Sequence, residues 1–141
     1  MIIRHLPSHL TQNTTRKIRL RRWANLLRGL YGVPIYLCGS ALIECNKNPR
    51  DWDIRVEMPD EDFRRRFGDP QKWEEEESTG QWTEVRYRWS DECVKRSKEG
   101  WRAVDLNMDF QIYPLSYCER LYRKRPKIKL DTFKKAKIGA K

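Results

Sequence analysis

Asp51 and Asp53 stand one residue apart in Asp51-Trp52-Asp53-Ile54-Arg55-Val56, a stretch in which polar and apolar residues alternate. That alternation has the period of a half-buried strand, so both carboxylates project from one face, close together. Like charges at such separation repel unless a cation lies between them, and hard carboxylate oxygens suit Mg²⁺ or Mn²⁺. A third acid from a neighbouring strand would complete a two-metal site. Asp109, between Met108 and Phe110, repeats the apolar-acid-apolar context of Asp53; Asp105, between Val104 and Leu106, is the alternative. Upstream, Gly39-Ser40 closes the apolar run Ile35-Tyr36-Leu37-Cys38, and ten residues separate Ser40 from Asp51. A glycine there permits close backbone approach, and the amides that follow can hold a triphosphate. Acid pairs arise easily in a chain that is 35% charged, and Gly-Ser is common in plain turns, so the combination carries the inference rather than either part.

Other reactive residues point nowhere in particular. Cys38, Cys45, Cys93 and Cys118 form no C-x-x-C pair, and the only histidines, His5 and His9, lie far from them in sequence. A zinc site, a disulfide framework and a histidine-based triad are therefore disfavoured, and buried thiols in a reducing compartment are expected.

Elements to position the acids can be read around them. Leu20, Trp23, Leu27 and Leu30 recur at helical spacing, predicting a basic helix over about 13–30 that Tyr31-Gly32-Val33-Pro34 breaks. Ile35–Cys38 reads as a buried strand, with a brief helical turn over 41–45 and turn chemistry at Asn46-Lys47-Asn48-Pro49. Residues 51–56 form the second strand, and Pro59-Asp60 opens a helix that Gly68 closes. Trp82, Val85, Trp89 and Cys93 predict a helix over 81–98 ended by Gly100. Ala103–Tyr113 is the longest strand candidate, stopped by Pro114, and Ser116–Tyr122 a last short helix. The expected fold is α+β (mixed α/β): a small mixed β-sheet with helices packed mainly on one face. One domain over 1–122 is expected, followed by a loose basic tail over 123–141.

Charge is unevenly spread along the 141 residues. Residues 1–30 carry seven Lys or Arg and no acid, residues 31–119 thirteen against nineteen, and residues 120–141 ten against one, which makes +7, −6 and +9 within the net +10. Basic ends around an acidic centre suggest a polyanionic partner such as nucleic acid, with Arg123, Lys124, Arg125, Lys127 and Lys129 interleaved with Tyr122 and Ile128. No apolar run approaches the roughly 20 residues of a membrane span, and the first residues lack a signal-peptide layout, so a soluble cytoplasmic protein is expected.

The stretch from Leu37 to Ile54, Leu-Cys-Gly-Ser, ten residues, then Asp-Trp-Asp-Ile, resembles the defining pattern of the polymerase beta-like nucleotidyltransferase superfamily. Met108-Asp109-Phe110-Gln111-Ile112-Tyr113-Pro114 is similar to the strand that supplies its third carboxylate. The resemblance covers residues 35–58 and 101–114 and implies a minimal nucleotidyltransferase fold. It also implies that Gly39 and Ser40 bind a nucleoside triphosphate such as ATP, while Asp51, Asp53 and Asp109 hold Mg²⁺ or Mn²⁺ and are catalytic. The reaction so implied moves a nucleoside monophosphate to an acceptor hydroxyl and releases pyrophosphate. The basic ends favour RNA, for instance tRNA, as acceptor. Small members that act as antitoxins by modifying a protein partner, and an inactive nucleic-acid-binding module of the same fold, are the alternatives. The chain has no room for the added domains by which larger members position acceptors.

Overall fold

The computed structural model describes residues 14–42, 51–76, 87–88 and 90–134. His5, His9, Cys45, the turn at Asn46–Pro49, the 81–86 start of the expected third helix and residues 135–141 lie outside them. In chain order come α1 (Thr14–Tyr31), β1 (Ile35–Cys38), one 3-10 turn (Gly39–Leu42), β2 (Trp52–Met58), α2 (Asp60–Phe67), α3 (Pro70–Glu76), α4 (Asp91–Val104), β3 (Met108–Pro114), α5 (Leu115–Leu121) and β4 (Lys127–Lys129). The described residues thus form a mixed α+β fold of five helices and one four-stranded sheet, ordered β3-β2-β1-β4. β1 is antiparallel to β2 and to β4, while β2 and β3 are parallel. A parallel pair needs a long crossover, and α2 to α4 lie within it.

Register assigns the two faces of the sheet. Leu37, Ile54 and Phe110 are neighbours across one row, and Ile35, Val56 and Ile112 across the next; all six are buried. α1 and α4 cover this apolar face. Leu20, Trp23, Ala24, Leu27 and Tyr31 are the buried stripe of α1, and both Trp23 and Tyr31 meet the Phe110 ring, at 6.3 and 5.7 Å between centroids. Leu30, which the spacing placed in that stripe, is 50% exposed, because Tyr31 takes its place against the sheet. α5 reaches the opposite face at its far end, where Tyr117 stacks on Tyr113 with Phe63, Tyr87 and Tyr122 nearby. No helix among the described residues is long and apolar enough to cross a membrane.

Three expectations are corrected. The first concerns Gly100, which does not end a helix. α4 starts at Asp91, behind an Ser90 cap whose hydroxyl accepts from the Cys93 amide, and runs past Gly100 to Val104. Gly100 is where α4 lies closest to α1 and β3: a Cβ on it would stand 2.5 Å from the Trp23 ring and 2.8 Å from Met108 Cγ. Ala would gain about 1 kcal/mol of helix propensity, but overpacking of this kind costs typically 1–3 kcal/mol, and a rigid indole cannot retreat. Gly100→Ala is therefore expected to lower the urea midpoint with the slope unchanged.

The second correction shortens β3 at its start. Val104 belongs to α4 and Asp105 is its cap, in the left-handed region at φ 59° and ψ 40°, so the strand begins at Met108 instead of Ala103. Apolar residues at 104, 106, 108, 110 and 112 mimic one strand because Val104 is buried from the helix side.

The third concerns the basic tail, which is not loose from 127 to 134. Lys127-Ile128-Lys129 pairs with β1, Ile128 and Leu130 are buried, and the Leu130 amide donates to the Ile35 carbonyl at 2.8 Å. α1 holds this segment: Arg21 donates to the Lys129 and Leu130 carbonyls at 3.0 and 2.7 Å, and Arg28 lies 3.6 Å from the Asp131 carboxylate. Part of the basic excess of both ends therefore joins them to each other.

Candidate active site

The opposite face of the sheet is polar at its centre. One register row reads Lys127, Cys38, Asp53, Asp109, and the next Lys129, Tyr36, Arg55, Gln111. Asp53 and Asp109 are thus direct neighbours on parallel strands, with side chains only 20% and 23% exposed. The buried amide of Gln111 ties them together, Nε2 donating to Asp53 Oδ1 at 3.1 Å and to Asp109 Oδ2 at 3.2 Å. Arg88 Nη2 approaches from above, 3.4 Å from Asp109 and 3.9 Å from Asp53. Burial first, and the Asp109 charge second, push the Asp53 carboxyl up to about 6 despite Arg88.

That shift sets a pH dependence. An acid whose folded pKa exceeds its ordinary 3.8 contributes stability that is complete below that value and is lost as pH rises through about 6. The difference of about two pKa units bounds the effect at roughly 3 kcal/mol. Metal-free protein is expected to melt lower at about pH 7 than at about pH 5, and Mg²⁺ to restore most of the difference. Thermal melts with and without EDTA check this, with Asp53→Asn as the reference that lacks both effects.

Gly39 meets Asp53 of this pair from the 3-10 turn that follows β1. Its φ is +75°, which disfavours any side chain, and an added Cβ would stand 2.0 Å from Asp53 Oδ2. Glycine is required both for the turn and for the approach of its backbone to the carboxylate. Beside it opens a cavity of about 390 Å³, lined by Gly39, Ser40, Asp53, Arg55, Arg88, Gln111, Tyr122 and Arg125 among others. Arg55 is 8% exposed, lies 4.3 Å from the Tyr122 ring centroid and 4.0 Å from Glu57, and its Nε has no hydrogen-bond partner. A buried guanidinium with donor capacity in hand, two more arginines and a bend of backbone amides make a cavity for a polyanion. Such a volume falls within the range of small-molecule sites.

The other sequence-selected acids are placed differently. Asp51 is exposed just before β2, and its Oδ1 accepts from Asn107 Nδ2. Asp105, in the α4 cap, pairs with Arg16 at 3.4 Å, away from Asp53. Among the described residues no three His, Cys, Asp or Glu side chains are gathered closely enough to hold a metal ion. The donor set nevertheless fits a hard divalent cation at two ligands: Asp53 and Asp109 are adjacent, and burial together with the Asp109 charge raises the Asp53 pKa even with Arg88 beside the pair. Cys38, Cys93 and Cys118 are free and buried, and burial pushes the Cys38 and Cys93 thiols up to about 11, so none is a poised nucleophile.

Arg55, Gln111 and Arg88 were not singled out from sequence. The period-two reading that pairs Asp51 with Asp53 extends to Arg55, and from Asp109 to Gln111, so two of the three were within its reach. Arg88 has no such signal. Of the expected acceptor-binding residues, Lys127 instead donates to Glu57 Oε1 at 2.7 Å, Ile128 is buried, and Tyr122 and Arg125 line the cavity. Comparison with protein-family models, with curated proteins and with solved structures returns no match.

Proposed function

We propose that this chain is a metal-dependent nucleotidyltransferase with a minimal nucleotidyltransferase fold, moving a nucleoside monophosphate from a nucleoside triphosphate to an acceptor hydroxyl. The observation that carries the reading is Gly39 set against the Asp53–Asp109 pair at the mouth of an arginine-lined cavity. Asp53 and Asp109 hold Mg²⁺ or Mn²⁺ in this reading, joined by Asp51, two residues before Asp53, once it is released from Asn107. When bound, the ion supplies Lewis-acid activation of the hydroxyl and stabilises charge on the phosphate.

The chain's own groups do the rest. Gly39 and Ser40 bind the triphosphate through backbone amides, and Arg55 and Arg125 balance its charge from the cavity wall. Gln111 fixes the two carboxylates so that neither rotates away when an incoming group competes for it. Asp109 Oδ accepts the hydrogen bond of the attacking hydroxyl, and Tyr113 and Tyr122 exclude water from one wall. An antitoxin-like role on a protein acceptor uses the same chemistry and differs only in the acceptor. Incubation with each labelled nucleoside triphosphate, Mg²⁺ or Mn²⁺, and whole-cell RNA or protein tests the reading: label is expected in one macromolecular pool, and its absence from both under every nucleotide and metal refutes transfer.

A further inference from the structure

In-line displacement at phosphorus requires the attacking hydroxyl and the departing pyrophosphate to lie on opposite sides of the reacting phosphate. The arginine-lined cavity extends from Gly39 and Ser40 across Arg55, Gln111 and Tyr113, so it lies on the side of the Asp53–Asp109 row toward the ends of β2 and β3. A triphosphate held there leaves the side toward the starts of β2 and β3, past Asp109, for the acceptor. On that side a second cavity of about 500 Å³ runs between α4 and β3 and is lined by Asp51, Asp109, Ser97 and Lys98, among others. It continues, through shared Ser97, Lys98 and Met108, into a cleft of about 270 Å³ that adds Trp101, Arg102 and Asn107.

The far end of this groove has an unusual composition. Trp101 is 52% exposed, whereas Trp23 and Trp52 are almost wholly buried. Lys98, one helical turn before it, and Arg102, next to it, are exposed, and neither has an ion-pair partner among the described residues. The two acids near the end of α4 are engaged elsewhere: Glu99 accepts from the Trp23 indole at 3.0 Å and from Arg96 at 2.9 Å, and Asp105 is held by Arg16. A free indole face between two free cations, at the end of a groove leading to carboxylates, matches a chain of alternating bases and phosphates. A protein acceptor would gain nothing from the cations unless it were itself acidic.

We propose that this groove receives the 3′ end of a single-stranded polynucleotide, with a base stacked on Trp101, phosphates at Lys98 and Arg102, and the terminal hydroxyl at Asp109. The proposal rests on the transferase reading for the direction of approach, but the groove can be tested without transfer. A short 5′-labelled single-stranded RNA, and DNA of the same sequence, are titrated with the full chain in the absence of nucleotide, followed by fluorescence anisotropy over a range of salt. Trp101→Ala is expected to weaken binding of at least one strand by roughly tenfold or more. Lys98→Ala with Arg102→Ala is expected to weaken it and to flatten the log–log salt slope by about 1.4, two phosphate contacts' worth on a single strand. All three side chains are exposed, so the variants are expected to melt with wild type and to bind nucleoside triphosphate unchanged.

Wild-type protein that binds neither strand overturns the proposal, as do variants that bind like wild type, which would assign binding to the basic ends. A strand that binds through Trp101 of a protein that labels neither RNA nor protein leaves the groove standing and removes the transferase reading. Nucleotide added to protein alone, with no strand bound, does the reverse.

Discussion

Asp53→Asn is expected to reduce nucleotide transfer by on the order of a thousandfold or more while leaving the protein at least as stable as wild type at neutral pH. The two halves of that expectation have one cause. The Asp53 carboxylate is taken largely out of water and set beside Asp109, so its charge is unfavourable in the folded protein until a cation compensates it. Asparagine keeps the shape and can still accept from Gln111, but it removes the charge that a metal–triphosphate complex requires. A variant inactive because it unfolds would show the opposite stability change, so a melt beside the activity assay separates the two. Asp51→Asn is expected to lose transfer without any gain in stability, because Asp51 is exposed before β2 and has no such burial to relieve. Equal stability changes in the two variants, or full activity in either, would sink the assignment.

Local chemistry made much of this legible in sequence. β1 was readable because Ile35–Cys38 is a short apolar run between a Pro turn and a glycine, and β2 because Asp51–Val56 alternates; both hold nearly residue for residue. α2 was readable from Pro59 at its start and Gly68, with φ of +97°, at its end. The elements misread are those whose residues answer to partners far along the chain. Gly100 looks like a terminator until Trp23, 77 residues earlier, is seen to fill the space where its side chain would be. Val104 reads as strand because a helix end and a strand both bury a β-branched residue. Asp105 and Asp109 were equivalent by apolar flanks, and only the register that sets Asp109 opposite Asp53 distinguishes them. The grouping of the cavity's polar wall was hidden for the same reason: Arg55 lay within reach of the period-two reading and Arg125 was named for another role, but Arg55, Arg88 and Arg125 come from three separate segments.

The basic C-terminal segment shows how far such a long-range dependence reaches, and Asp131 is where it can be broken. Its side chain is fully buried: Oδ2 accepts from the Ile35 amide at 2.9 Å and Oδ1 from the Phe133 amide at 3.2 Å, while Arg28 and Lys129 lie 3.6 and 3.4 Å away. Asp131→Ala leaves the buried amide at the start of β1 without an acceptor and two cations without their counter-charge. Loss of one partner from a buried ionic cluster typically costs about 3–5 kcal/mol, a large share of the roughly 5–15 kcal/mol that stabilises a domain. The urea midpoint is expected to fall accordingly. Asp131→Asn can still accept from Ile35 and is expected to lose about half as much, the remainder being the charge. The same substitution is expected to act on the nucleotide at a distance. Asp131 anchors the segment whose β4 strand pairs with Cys38, and Pro126 and Arg125, just before that strand, form one wall of the proposed triphosphate cavity. At temperatures where Asp131→Ala remains folded, KM for the nucleoside triphosphate should rise several-fold with a smaller change in kcat, because the carboxylates are held by β2 and β3 and stay in register. A loss of stability with KM unchanged would mean that β4 is only a prop for the sheet, and that the cavity keeps its shape from Arg55 and Tyr122 without it.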